Sequence, residues 1–392
     1  MKKTLILVLI SSSLFADIDD FHINGFGTLG LSYQDNDDII YRSSLRSSRG
    51  TSGKVSLQND SKFGLQLDWE ASEQIDFTIQ GTVDSEGVNL EWANIKYTIN
   101  DNHSFKFGQM RFPTAMYSDI LKVGYSYNWV RLPEDVYGIL PLTSYLGAEY
   151  NYRQTYQNIE YSFKLYGGRA KDTMTGAEDI GDYTIDLHNI LGSNIAVSFD
   201  NLDIYLGYTY TDISIDNPRI NDYFDKTLSS PISESEKDLL RYYDPRGKST
   251  HYFSFGMRYE YENFYMLGEY VWIDMNNIIS DNYAGYISMG YHIDKFTPHI
   301  TFSKVTGKSN YKNSINNDII NESLQEMSKR TLTSQSHITL GLRYDWLDSV
   351  ALKMQYDYIK EDSKGIGLSL HKESVYHPDD INLLSFSMDF VF

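Results

Sequence analysis

Residues Ile381–Phe392 read INLLSFSMDFVF. Leu384, Phe386, Met388, Phe390 and Phe392 take every second position, with Ser385, Ser387 and Asp389 among the residues between them. A period of two is the mark of a β-strand with one apolar and one polar face. Termini of soluble domains usually fray, so a strand that carries aromatics to its last residue needs pairing partners along its whole length.

The same alternation recurs along the chain. KFGLQLDWE (Lys62–Glu70) sets Phe63, Leu65, Leu67 and Trp69 on one side and Lys62, Gln66, Asp68 and Glu70 on the other. IDFTIQGTVD (Ile75–Asp84), IEYSFKLY (Ile159–Tyr166), DIYLGYTYT (Asp203–Thr211), YFSFGMRYEYE (Tyr252–Glu262), SHITLGLRYDW (Ser336–Trp346) and LKMQYDYI (Leu352–Ile359) follow the rule. Counting all such segments predicts sixteen strands, the first at Phe21–Tyr33 and the last at Ile381–Phe392. The segment Leu90–Ile99 changes phase near Ala93, which predicts a bulge or a shifted start.

Short connectors such as Ser72–Gln74, Asn100–Asn102 and Asp294–Lys295 alternate with long ones, including 34–61, 111–144, 213–249, 305–335 and 361–380. Beyond the N-terminal segment no apolar run reaches the roughly 18 to 20 residues of a membrane-spanning helix. The chain nevertheless carries 33 Tyr, 19 Phe and 5 Trp. In hydrocarbon every backbone donor and acceptor must be paired, so a sheet spans a bilayer only by closing on itself. The expected fold is all-β: a closed 16-stranded antiparallel transmembrane β-barrel in which the last strand pairs with FHINGFGTLGLSY (Phe21–Tyr33). Short turns belong on the periplasmic side and long loops outside.

The other end fits export. MKKTLILVLISSSLFAD has two lysines, a short apolar run and Ala16, the layout of a signal peptide. Residues 1–16 are expected to be cleaved and 17–392 to form the barrel. Acidic residues outnumber basic ones 53 to 34, which disfavours a nucleic-acid partner. There is no cysteine, so no disulfide framework is available.

An aromatic alternation ending in Phe resembles the C-terminal signal of bacterial outer-membrane barrels, and together with the strand count and the long third loop it resembles a Gram-negative general porin. FGQMRFPTAMYSDILKVGYSYNWVRLPEDVYG (Phe107–Gly138) resembles the segment that leads into the inward-folded loop of porins related to the phosphate-selective group. The resemblance implies passive diffusion of small hydrophilic solutes, a homotrimer, insertion by the barrel-assembly machinery, and contact with outer-membrane lipid and lipopolysaccharide. It implies no cofactor or metal.

Connection 111–144 is rich in prolines and in aromatics such as Tyr117, Tyr125, Tyr127, Trp129 and Tyr137. Such a loop is too apolar for water and too proline-rich for a strand. Folded inward as the third external loop, it places Asp119, Lys122, Arg131, Glu134 and Asp135 at a pore constriction with Lys106, Glu149 and Arg153 of the wall. Lys96, Lys164, Arg258, Glu260, Glu269, Arg343, Asp345 and Lys353 are expected along the pore wall. Their mixed sign keeps a channel hydrated and differs from the cationic ladder of an anion-selective, phosphate-type pore. Trp69, Trp272 and Trp346, with Phe390 and Phe392, are expected in the interfacial girdles and at the closing seam.

Two other function classes were weighed. A barrel hydrolase would need a catalytic constellation, and neither GxSxG nor HExxH occurs. His292 and His299 point inward from neighbouring strands, a spacing that suits a hydrogen-bonding cluster better than a metal site. An adhesin or structural barrel acting through its external loops is the alternative. SPISESEKDLLRYY (Ser230–Tyr243) and NNDIINESLQEMSKR (Asn316–Arg330) are predicted to form short capped helices, read as solvated surface rather than receptor sites.

Overall fold

We describe the protein from a computed structural model, covering residues 20–42, 50–140, 142–175, 181–312, 315, 317–362, 369–371 and 380–392. The expected leader, 1–16, lies outside the described residues.

Sixteen strands form a closed barrel in which every strand is antiparallel to its neighbours in sequence. They are β1 (Phe21–Gln34), β2 (Lys62–Ser72), β3 (Ile75–Asp84), β4 (Gly87–Asn100), β5 (His103–Arg111) and β6 (Ser144–Tyr156). Next come β7 (Ile159–Met174), β8 (Tyr183–Phe199), β9 (Leu202–Asp216), β10 (Lys248–Tyr261) and β11 (Phe264–Asp274). The circuit ends with β12 (Asp281–Tyr291), β13 (Phe296–Lys308), β14 (Ser334–Leu347), β15 (Val350–Glu361) and β16 (Asp380–Val391). β16 pairs with β1 from Phe26–Val391 to Gln34–Leu383. Phe392 extends that seam: its N–H donates to the Gly25 carbonyl at 3.0 Å, and the Gly25 N–H returns a bond of 2.8 Å.

Facing follows the alternation. On β16, Leu384 and Phe386 are 37% and 42% exposed on the outside, while Ser385 and Asp389 are fully buried within. Apolar side chains such as Leu29, Leu65, Ile79, Leu206, Phe302 and Leu340 carry the outer band around the ring. On that outer surface Trp69 stacks between Phe21 and Phe77 at the short-turn end. Trp272 stacks between Phe253 and Tyr283 towards the long-loop end, and Trp346 is exposed near the end of β14.

The phase change in β4 is a bulge. Gly81 pairs with Leu90 but Gln80 pairs with Trp92, so Glu91 is the extra residue. Glu91 and Trp92 thereby both turn inward: Glu91 accepts from Thr82 and pairs with Arg111 at 3.0 Å, and Trp92 lies under the Lys106 ammonium. β4 begins at Gly87 rather than Leu90, because only two residues separate it from β3.

β7 and β8 run several residues further than the alternation predicts, past a bulge at Gly168–Ala170. Above it the pattern inverts. Lys171, Thr173, Asp186 and Asp212 lie on the outer face, while Ala170, Met174, Ile185, Leu187, Ile213 and Ile215 are buried inside. An outer face that has left the hydrocarbon meets water, and the apolar side chains then find cover only in the lumen. The expectation that polar faces line the whole channel is therefore corrected: among the described residues the largest apolar core lies within the barrel.

Outside, α2 (Pro218–Leu228) starts at Asn217, α3 (Glu234–Tyr243) at a Ser233–Glu236 capping box, and α4 (Asp318–Arg330) at Asn317. Phe224, Leu240 and Leu324, one from each helix, are buried in a shared cluster. Inside the third external connection, α1 (Glu134–Tyr137) is a single turn.

Candidate functional site

Connection 112–143 leaves β5 and returns to β6, with the Phe112 N–H bonded to the Thr143 carbonyl at its neck. Between those points it crosses the lumen. Met116 lies so close to β10 that a side chain at Gly256 would overlap its sulfur. The Met116 N–H reaches Glu269 of β11 at 2.8 Å. Eight residues on, Gly124 lies against the far wall, where any Cβ would fall 2.2 Å from the Asp389 carboxylate. A loop touching both sides of a barrel divides it.

Aromatic packing stiffens the crossing. Tyr117 meets Tyr127, Trp129 and Tyr137 edge-on, and Trp129 also meets Tyr286 and His299 of the wall. The Trp129 Nε1–H donates to Thr301 at 2.8 Å. Such edge-to-face contacts add about 0.5 to 1.5 kcal/mol each beyond area burial. His299 thus serves as a packing partner of the loop, while His292 bonds Thr297 near the turn after β12.

Charge fixes the remaining positions. The Arg131 guanidinium binds Asp60 at 2.8 Å and Asp357 at 2.9 Å, donates to Ser385, and has Glu134 at 3.6 Å. Asp135 accepts from Ser303 of β13 and Gln335 of β14. Lys353 is fully buried, paired with Asp389 at 3.0 Å and donating to the Gly124 and Trp129 carbonyls. Arg343 donates to the carbonyls of Tyr125 and Tyr127. On the other side Lys122 reaches Asp84 at 2.7 Å and Glu86 at 3.7 Å, and Lys164 of β7 reaches Asp119 at 2.7 Å.

Three carboxylates around one guanidinium cannot all be neutralised by it. Asp60 and Asp357 hold the short contacts, and burial pushes the Glu134 carboxyl up to about 8, with Asp357 and Asp60 adding to the rise against the opposing pull of Arg131. Tyr41, from the first external connection, bonds the same carboxyl.

The residues expected at the constriction therefore separate into three groups. Asp119, Lys122, Arg131 and Asp135 lie in the lumen against wall partners, and Glu134 lies beside them between Arg131 and Tyr41 of the first external connection. Lys106 lies 4.0 Å from Glu149, on the wall beside them. Arg153 stands apart: it pairs with Glu160 at 3.1 Å near the short-turn end and its side chain is 74% exposed, away from the constriction where it was expected as a wall residue. Among the wall residues, Lys96 pairs with Asp76, Arg258 with Glu260, and Arg343 with Asp345. Glu269 and Lys353 are instead sealed beneath the loop, because its backbone N–H and carbonyl groups need partners there.

Beside the crossing a polar cavity of about 120 Å³ lies between loop and wall, lined among others by Asp60, Lys62, Asp84, Glu86, Lys122, Arg131 and Glu134. Asp60 and Glu86 escaped the sequence reading because both sit in connectors, where alternation assigns no direction. Arg131 and Asp60 are 71 residues apart, and only barrel closure brings them together.

No family model and no curated protein matches the sequence. Solved structures do. Outer-membrane expressed OmpT of Vibrio cholerae superposes with a TM-score of 0.55 at 11% identity, covering 96% of this chain and 99% of its own. The barrel is structurally like Gram-negative general porins. An anion-selective porin from Comamonas acidovorans gives a TM-score of 0.53 at 11% identity, covering 95% and 99% of the two chains. Salmonella typhi OmpF, in complex with daunomycin, gives 0.53 at 12% identity, covering 94% and 97%. At such identities the likeness is one of fold.

Proposed function

We propose that the protein is an outer-membrane porin through which small hydrophilic solutes and ions diffuse passively. The observation that carries this reading is the polar gap beside the lumenal loop, where loop cations Lys122 and Arg131 oppose wall and connector carboxylates Asp60, Asp84 and Glu86. These pairs leave the gap lined with charge of both signs, which favours hydration and passage of polar solutes without a dedicated site. Asp119, Lys122, Arg131, Glu134 and Asp135, with Lys106 and Glu149, then form the constriction, while Lys96, Lys164, Arg258, Glu260, Arg343 and Asp345 line the wider approach.

The reading is non-catalytic, since the lumenal charges are engaged in pairs that hold the loop to the wall. Mixed sign favours weak selectivity over a phosphate-type pore. Residues 1–16 act as the export signal, Trp69, Trp272 and Trp346 sit at the membrane interfaces, and the barrel assembles as a trimer. A trimer form is described for OmpT of Vibrio cholerae.

Single-channel recording of the refolded protein across a KCl gradient tests the proposal. Steady conductance with a small reversal potential supports it. Absence of current overturns it in favour of a role for the external loops.

A further inference from the structure

A second cavity, of about 360 Å³, lies on the long-loop side of the crossing. Its floor includes Phe112, Leu140 and Leu142 of the lumenal loop, its wall is the inverted apolar stretch of β8 to β11, and residues 330–333 and Ile220 of the external connections border it above. Inward-facing Ile185, Leu187, Ile213, Ile215 and Ile273 make this wall apolar in a barrel whose other lumenal faces carry charge. A channel that served only hydrated solutes has no use for it, because apolar lining dewets and raises the barrier to ions.

Three polar atoms in the lining are left over. The Thr250 hydroxyl, the Tyr252 hydroxyl and the Asn282 Oδ1 have no hydrogen-bond partner among the described residues, and Thr250 and Tyr252 are each 6% exposed. Neighbouring threonines contrast with them: Thr209 bonds Tyr166, Thr211 bonds the His188 carbonyl, and Thr331 bonds the Ser328 carbonyl. A buried polar atom without a partner destabilises the fold unless something bonds it. Arg330, at the border, is engaged by Glu326 at 3.3 Å, and among the described residues no carboxylate joins the lining.

We propose that this cavity is a binding site for a neutral, largely apolar small molecule of about two fused rings that carries a hydroxyl or amine donor. Size sets the first limit: an apolar cavity of about 150 Å³ accommodates benzene, and this one is somewhat more than twice as large. The missing charge sets the second, since an ionic guest would be stripped of water without a counter-ion. Asn282 Oδ1 asks for a donor, and the Thr250 hydroxyl can give or accept in the same contact. The ring system packs on Ile213 and Ile273, and the barrel then holds two lumenal compartments, one for hydrated solutes and one for an apolar guest.

The test is equilibrium dialysis of 2-naphthol, with naphthalene as the donor-free control, against the full barrel in lipid nanodiscs, with empty nanodiscs measuring membrane partition. The expected result is saturable uptake of one 2-naphthol per chain above partition. Ile213→Gln should weaken it at least tenfold, and the near-isosteric Thr250→Val should weaken 2-naphthol by roughly three- to tenfold while leaving naphthalene unchanged. Uptake equal to that of empty nanodiscs overturns the proposal, as does saturable uptake that is the same in both variants. Should Ile213→Gln fail to fold, Thr250→Val decides alone. Binding is read without current, so its failure and the failure of the porin reading remain distinguishable.

Discussion

Gly25 lies directly beneath the ring of Phe392: a Cβ at position 25 would fall 2.2 Å from the ring. The same arrangement repeats two residues on, with Phe390 over Gly27. The seam between first and last strands is thus built from aromatics covering glycines on the outer face, with two backbone hydrogen bonds beyond the last strand residue.

Deleting Phe392 removes both bonds and uncovers Gly25. Each bond contributes roughly 1 kcal/mol net in water and more where lipid replaces water. Refolding into vesicles, followed by heat-modifiable gel migration, should give a lower yield of folded barrel. Gly25→Leu, which displaces the ring, should act in the same direction; full yield for both would remove the closure role.

Phe386 occupies the outer face midway along β16, beside inward Ser385 and Ser387. Phe386→Arg puts a charge into hydrocarbon and should destabilise the barrel by about 2 to 4 kcal/mol if the site lies near the midplane. Urea unfolding in lipid measures this. A cost near zero would mean that position 386 does not face hydrocarbon.

Lys122 is the loop cation nearest to Asp84 and Glu86. Lys122→Glu places three carboxylates together on one side of the polar gap and should shift the reversal potential in a KCl gradient towards cation selectivity. An unchanged potential would locate ion flow elsewhere in the lumen.

Arg131 neutralises Asp60 and Asp357 in a buried setting. Arg131→Ala leaves those carboxylates without their counter-charge, at a cost of about 3 to 5 kcal/mol typical of breaking a buried pair. The loop should relieve this by leaving the wall, so the expected outcome is lower stability together with higher and noisier conductance. Wild-type values of both would show that the cluster does not hold the loop.

Glu134 holds its proton up to about pH 8 because it is buried and faces Asp357 and Asp60. Below that pH the gap balances Asp60, Asp84 and Glu86 against Lys62, Lys122 and Arg131. As pH rises through about 8 the carboxyl ionises and adds a negative charge, so cation preference should increase. The change should vanish in Glu134→Gln, and a pH-independent reversal potential in the parent protein would contradict the assignment.

The sequence alone determined the sheet. Alternation in Lys62–Glu70, Tyr252–Glu262 and Ile381–Phe392 tells inside from outside, since the two faces of a strand meet different solvents and the period is fixed by backbone geometry. Strand number, closure and the phase change near Ala93 follow from that rule and from the need to pair every backbone group in lipid, while the structure places the bulge itself at Glu91. The inversion above Asn189 and Asp212 was written there too, as Ile185, Leu187, Ile213 and Ile215 interleaved with polar residues, but its meaning depends on where hydrocarbon ends.

The path of connection 112–143 was decided only by tertiary structure. Its aromatics and prolines say that it must be buried, yet they do not say against which strands. Gly124 meeting Asp389, Arg131 meeting Asp60 and Asp357, and Met116 meeting Gly256 join residues far apart in sequence, and local patterning carries no information about such pairs. The two cavities beside the loop lie where those contacts stop, and their chemistry follows from which wall residues the loop leaves uncovered.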